Sequence, residues 1–228
     1  MNLLVLIGLL SPPPEPGRGP GVGVSFVQDE YCVNAPVVRS FIERVLEMMA
    51  AEQRRERLVE DIRPAFARLL AAEGWLPDEF ARPYEASKMG GGIGSYLLYR
   101  HGGSLSLSTL VVPAGAATPV HDHLAWGLVG LYRGEQDEEV YRRLDSGQTP
   151  GKTVLELVER RHLKPGEFYT LLPPEGDIHR VQTISATPSI SIHLLGNDLG
   201  CIWRHAYEPD VSAVRAFRSG YANVECKE

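Results

Sequence analysis

Between about Ala35 and Ala51 the apolar positions Val38, Phe41, Ile42, Val45, Leu46 and Met49 recur three and four residues apart. That spacing lays one stripe along an amphipathic helix. A second helical stretch carries Leu58, Ile62, Phe66, Leu69 and Leu70, with Gly74 as its C-cap. Pro64 is expected to break this stretch or to start a new segment, because a proline inside a helix removes a hydrogen bond and clashes with the preceding turn. The run Arg54-Arg55-Glu56-Arg57 reads as a solvated helix face. After Met89-Gly90-Gly91-Gly92 the texture changes. Short runs rich in Leu, Val, Ile, Thr and Tyr appear near 94–100, 105–113, 123–132, 138–143, 153–161, 167–172, 178–184, 189–195 and 201–207. Gly102-Gly103, Gly134, Ser146-Gly147, Pro165-Gly166, Pro173-Pro174 and Gly196-Asn197 punctuate them, as expected of a β-sandwich or barrel. The pattern divides the chain into a leader over 1–24, a helical segment over 25–90 and a β-barrel over 91–228.

Composition narrows the function classes. A net charge of −6 argues against a nucleic-acid footprint, which would be basic. The apolar run Leu3–Leu10 is far short of the roughly 20 residues that span a bilayer. It also lacks a basic flank and a small-residue cleavage site, so residues 1–24 read as a disordered leader or as a start codon set too early. Cys32, Cys201 and Cys226 show no CxxC spacing and are expected to be reduced thiols in a cytoplasmic protein.

The candidate chemistry lies in the histidines. On a strand, residues i and i+2 face one side, so His121 and His123 in His-Asp-His can aim two imidazoles at one point. Gly115-x5-His121-x-His123-x3-Gly127-x6-Gly134 fits the first cupin motif, except that Gly127 stands where a metal-binding Glu is usual. Gly166-x6-Pro173-x2-Gly176-x2-His179 is close to the second cupin motif and contributes a third histidine. Three imidazoles bring no charge to a divalent ion, which favours an anionic ligand such as a thiolate. Imidazole ligation alone does not choose among iron, zinc, nickel and copper. His101 and His162 sit beside turns and read as surface residues.

From about Val24 to Asn223 the chain resembles the thiol dioxygenases of the cysteine dioxygenase superfamily, most closely the bacterial 3-mercaptopropionate dioxygenase type. The resemblance runs through Gly74-Trp-Leu-Pro77, Thr118-Pro-Val-His-Asp-His123, Trp126-Gly127, Gly176-Asp-Ile-His-Arg-Val181, Ser191-Ile-His193, Arg204-His205 and Ser219-Gly-Tyr-Ala-Asn223. It implies a cupin double-stranded β-helix, a jelly-roll barrel carrying an N-terminal helical segment. It implies Fe(II) held by His121, His123 and His179, with a small thiol and dioxygen as co-substrates and a sulfinate as product. Ser191 and His193 match two members of the family's Ser-x-His-x-Tyr strand, where they are expected to act in catalysis. Leu195 stands in place of the tyrosine, beside the substrate. Arg204 falls where a substrate carboxylate is anchored, a role suited to its planar fork. Arg180 is expected on the face opposite His179. Tyr96, Tyr99 and Tyr169 could lie near the cavity, and the sequence leaves open whether one replaces the missing hydroxyl. The alternatives are another metal-dependent cupin enzyme (an isomerase, lyase or ring-cleaving dioxygenase) or a non-catalytic cupin that binds a small molecule. No nucleic-acid or membrane partner is expected.

Overall fold

A computed structural model describes residues 29–226. The expected leader lies outside the described residues. Strand β1 (Asp29–Tyr31) is followed by helices α1 (Pro36–Ala51) and α2 (Arg55–Ala71). The strands β2 (Gly94–His101), β3 (Leu105–Val112), β4 (Val120–His121), β5 (Gly127–Arg133), β6 (Gln136–Arg143) and β7 (Leu155–Leu163) come next. Then come β8 (Phe168–Leu171), β9 (Ile178–Thr183), β10 (Ser189–Leu195), β11 (Arg204–Glu208) and β12 (Ala213–Phe217). They form two six-stranded sheets, β1-β2-β3-β10-β5-β8 and β12-β11-β4-β9-β6-β7, with antiparallel pairing throughout. This is the cupin double-stranded β-helix.

The helices cover the outer face of the first sheet. Val38, Phe41, Ile42 and Val45 of α1 and Leu58, Ile62, Phe66, Leu69 and Leu70 of α2 are buried with Leu98, Leu107, Leu128, Ile190, Ile192 and Leu194 in one cluster. Strand β10 runs between β3 and β5 and is buried along its whole length. Its even-numbered residues face the helices, so Ser191, His193 and Leu195 point into the barrel.

Several expectations are corrected. Pro64 does not break α2, which runs through it. Pro64 and Glu60 are both exposed, so the carbonyl left without an amide donor faces water, while the buried stripe on the other side holds the helix. His123 is not on a strand, since β4 ends at His121. The strands β1 and β12 were not anticipated; each lies at a sheet edge. Cys201 and Cys226 are not reduced thiols: they form a disulfide, with Cα atoms 5.2 Å apart, and only Cys32 is free. The bond ties the C-terminal segment to the barrel. Asn223 hydrogen-bonds the Leu97 amide and carbonyl, both at 2.9 Å, and the Ala222 amide donates to the Ser95 carbonyl. Among the described residues no helix is long and apolar enough to cross a membrane.

The contact between α2 and β5 depends on a missing side chain. A Cβ at Gly130 would lie 2.4 Å from Leu70 Cδ1 and 2.9 Å from both Phe168 Cβ and Phe66 Cε1. Gly130→Ala is expected to destabilise the protein by about 1–3 kcal/mol through overpacking. The check is a lower urea midpoint with an unchanged denaturant slope.

Candidate metal centre

Strand pairing brings the first and third histidines together, because His121 on β4 is the register partner of His179 on β9. His123 is placed differently. The Asp177 carboxylate accepts the His123 amide at 2.9 Å and the Leu124 amide at 3.1 Å, fixing the turn that swings the second imidazole inward. Leu124 sits there at φ 56°, a left-handed conformation costing on the order of 1–3 kcal/mol for such a side chain. The three ring centroids lie 4.8–5.0 Å apart, and one ligand atom from each ring falls within 4.8 Å of the others.

Each ring is oriented through its Nδ1. His121 Nδ1 donates to the Pro119 carbonyl at 2.8 Å. His123 Nδ1 faces the Asp177 carbonyl at 3.3 Å. His179 Nδ1 meets Glu138 Oε1 at 2.5 Å, with the Tyr169 hydroxyl at 3.1 Å. These partners leave the Nε2 atoms to converge. Those of His123 and His179 are buried and have no hydrogen-bond partner. Burial, then the neighbouring imidazoles and Arg204, hold the His121 pKa well below the usual range. Burial also pushes His123 down, against the opposing pull of Asp177. Neutral, unpartnered nitrogens with fixed tautomers are the donor set a divalent metal requires, so the site fits one.

Gly127 explains why no carboxylate joins them. A Cβ there would lie 2.3 Å from Leu195 Cδ2 and 2.4 Å from the Leu194 carbonyl oxygen. The backbone of β10 closes that position to any side chain. The nearest carboxylate is instead Glu138, one step behind the ligand. On β6 it is paired with Val181 while Val140 is paired with His179, so Glu138 is the diagonal neighbour of His179 on the same face. Burial opposes its charge, but the bond to His179 and the Arg161 guanidinium, 3.3 Å away, outweigh it and lower its pKa. Sequence reasoning missed Glu138. The run Gln136-Asp-Glu-Glu139 is polar throughout and gave no signal; the alternation that buries Gln136, Glu138 and Val140 between Asp137 and Glu139 appears only in the fold.

The other expected site residues fall as follows. Ser191 Oγ lies 2.9 Å from His193 Nε2, and His193 Nδ1 is buried without a partner. Arg204 is 3% exposed, donates to the Asp122 carbonyl at 2.8 Å and to Ser219 Oγ at 3.1 Å, and stacks on Phe217. Its Nε has no partner, and among the described residues it makes no ion pair. Burial pulls its pKa down to about 10, so it stays cationic at neutral pH. Leu195 packs with Val129, Leu171 and Leu199, with Tyr169 against the same cluster. Met89, Ser95, Ser108, Leu110, Leu199 and Ser219 line a chamber with His121, His123, His193 and Arg204. Leu195 meets it through Leu199. The free space is only about 10 Å³, and a larger cavity of about 330 Å³ adjoins it across Met89, Ser95 and Ser219. Tyr169 stands behind His179, at its outward nitrogen. Tyr96 donates to the Arg82 carbonyl and Tyr99 to Asp29, and neither lines the chamber. Arg180 lies on the outer face near Glu139, as expected.

No family model matches the chain. Its fold is similar to a double-stranded β-helix protein from Klebsiella pneumoniae at 15% identity, covering 57% of this chain and 94% of that one with a TM-score of 0.40. It is similar to the DMSP lyase DddQ from Ruegeria pomeroyi at 20% identity, covering 73% and 94% with a TM-score of 0.37. A third similarity is to an oxalate oxidase at 21% identity and a TM-score of 0.33; it covers 42% of this chain and spans 43% of the oxidase. The cupin fold rests on this chain's own sheet order and on where its histidine motifs fall within it.

Two variants test the centre. His179→Ala is expected to lose stable metal binding, read as metal per protein after reconstitution and gel filtration. Glu138→Gln keeps all three ligands but removes the charged acceptor, and is expected to weaken metal affinity by about 10–100-fold in a chelator competition.

Proposed function

We propose that this chain is an iron(II)-dependent dioxygenase that oxidises a small carboxylate-bearing thiol to its sulfinate. The observation carrying the proposal is a chamber lined by His121, His123 and a buried guanidinium with an unpaired Nε, where His179 completes the three-imidazole donor set from behind the wall. A divalent ion on three imidazoles keeps its full charge, and Arg204 adds another. The nearby carboxylates do not offset this by ligation: Glu138 and Asp177 are committed to the histidines, and Asp122 to His205 and Tyr207. A thiolate with a carboxylate a short chain away answers both positive centres.

Iron(II) bound there would supply open coordination positions for sulfur and for dioxygen. The reaction balances without an external reductant, since RSH and O2 give RSO2H, with both oxygen atoms ending on sulfur. Arg204 holds the carboxylate and so fixes the position of the sulfur, a contribution through orientation. Ser191 holds His193 through Nε2, and His193 lines the chamber with its Nδ1 unpaired. Met89, Leu110 and Leu199 exclude water from the same space. The chamber alone has room for about one water, so a bound thiol would extend into the adjoining cavity of about 330 Å³. Leu195, lacking a hydroxyl, favours one that differs from cysteine.

Purified iron-loaded protein is expected to consume oxygen and form sulfinate with at least one member of a thiol panel. Absence of both for every thiol overturns the reading, and nickel, manganese or zinc as the native metal would favour a different cupin reaction. Arg204→Lys is expected to lower kcat/KM about 10–100-fold for carboxylate-bearing thiols, the 1.5–3 kcal/mol of a charged hydrogen bond. Thiols without a carboxylate are expected to change little in the same assay.

A further inference from the structure

The chamber holds a polar group that neither the motifs nor the resemblance assigns. Ser108 on β3 is 2% exposed and lines the chamber with His193 and Arg204. Around it Thr109 donates to the Phe80 carbonyl, Ser219 accepts from Arg204, and Ser191 pairs with His193. Two residues that line the same space carry a buried nitrogen without a partner, His193 at Nδ1 and Arg204 at Nε.

Register sets where the Ser108 hydroxyl stands. Ser108 is the direct partner of His193 across β3 and β10, so the two side chains share a face with Cβ atoms about 4.5–5.5 Å apart. On its other flank the partner is Leu97, which is fully buried and offers no polar atom. Leu195 meanwhile turns its side chain into the cluster with Val129, Leu171 and Leu199. The direct partner of Leu195 on β3 is Ser106, and Ser108 stands one step along the same inward face, opposite His193.

We infer that Ser108 is a substrate-binding residue, which donates its hydroxyl to the carboxylate of the bound thiol alongside Arg204. This rests on the proposed function. It makes the chamber a two-donor carboxylate site and assigns its selectivity to β3, where sequence patterns of β10 do not reach.

The test uses cobalt(II)-substituted protein, titrated without oxygen against 3-mercaptopropionate and against 1-propanethiol, which lacks the carboxylate. Binding is read from the thiolate-to-cobalt absorption. Ser108→Ala is expected to weaken 3-mercaptopropionate binding by about 5–15-fold, the loss of one net hydrogen bond. Binding of 1-propanethiol and the cobalt spectrum without thiol should not change, and Ser108→Thr, which keeps the hydroxyl, should bind within about 2-fold of wild type. Equal weakening for both thiols indicates a merely structural role and overturns the assignment, as does unchanged affinity in Ser108→Ala. If wild type binds neither these nor any other small thiol, the proposed function fails and the Ser108 assignment falls with it. If wild type binds 3-mercaptopropionate and Ser108→Ala matches it, only the assignment fails.

Discussion

The three histidines form one centre only because each ring is held by the nitrogen that does not face the others. A free imidazole has two interchangeable nitrogens, and a hydrogen bond at Nδ1 is what makes Nε2 the donor. Here the three holders differ in kind: a backbone carbonyl two residues upstream for His121, the Asp177 peptide for His123, and a buried carboxylate for His179. The strongest holder is charged and lies behind the ring that arrives from β9. The Glu138–His179 bond therefore orients a ligand and places a negative charge close to the centre without occupying a coordination position. Arg161 keeps that carboxylate ionised from the far side.

A second constraint is the double duty of β10. Its even-numbered residues anchor the helices, and its odd-numbered ones face the barrel, where His193 lines the chamber, so the core and the site share a single register. A slip by one residue would bury Ser191 and His193 beneath the helices. The same strand crosses so close to Gly127 that no side chain fits there. The absence of a fourth protein ligand is thus a packing consequence, tied to the backbone of β10 and to Leu195.

The residue between the two motif histidines links the metal centre to the chamber's cation. Asp122 is buried and accepts from the His205 amide at 2.8 Å, the His205 ring at 2.6 Å and the Tyr207 hydroxyl at 2.8 Å, fastening β11 to the end of β4. Its carbonyl accepts from Arg204. The guanidinium is thereby set beside the histidines by backbone bonding, and its Nε is left free for a ligand. Ser219 holds the other side of that guanidinium, and the segment that carries Ser219 is tied down by Asn223 and by the Cys201–Cys226 bond.

The local order of residues determined much of this protein. The two amphipathic stripes, the run of short strands, the His-x-His pair with His179, and the inward set Ser191, His193 and Leu195 all follow from periods that any chain of this pattern would obey. Tertiary structure decided what periodicity does not carry. His123 left the strand because Asp177, distant in sequence, captured its turn. Pro64 stayed within α2 because the opposite face of the helix is buried. Cys201 met Cys226 because the C-terminal segment folds back along β2, where Ala222 and Asn223 bond Ser95 and Leu97. Glu138 and Ser108 became neighbours of the site through cross-strand register, which depends on which strands pair and by what offset. Local periodicity states which way a side chain points; only pairing states what it points at.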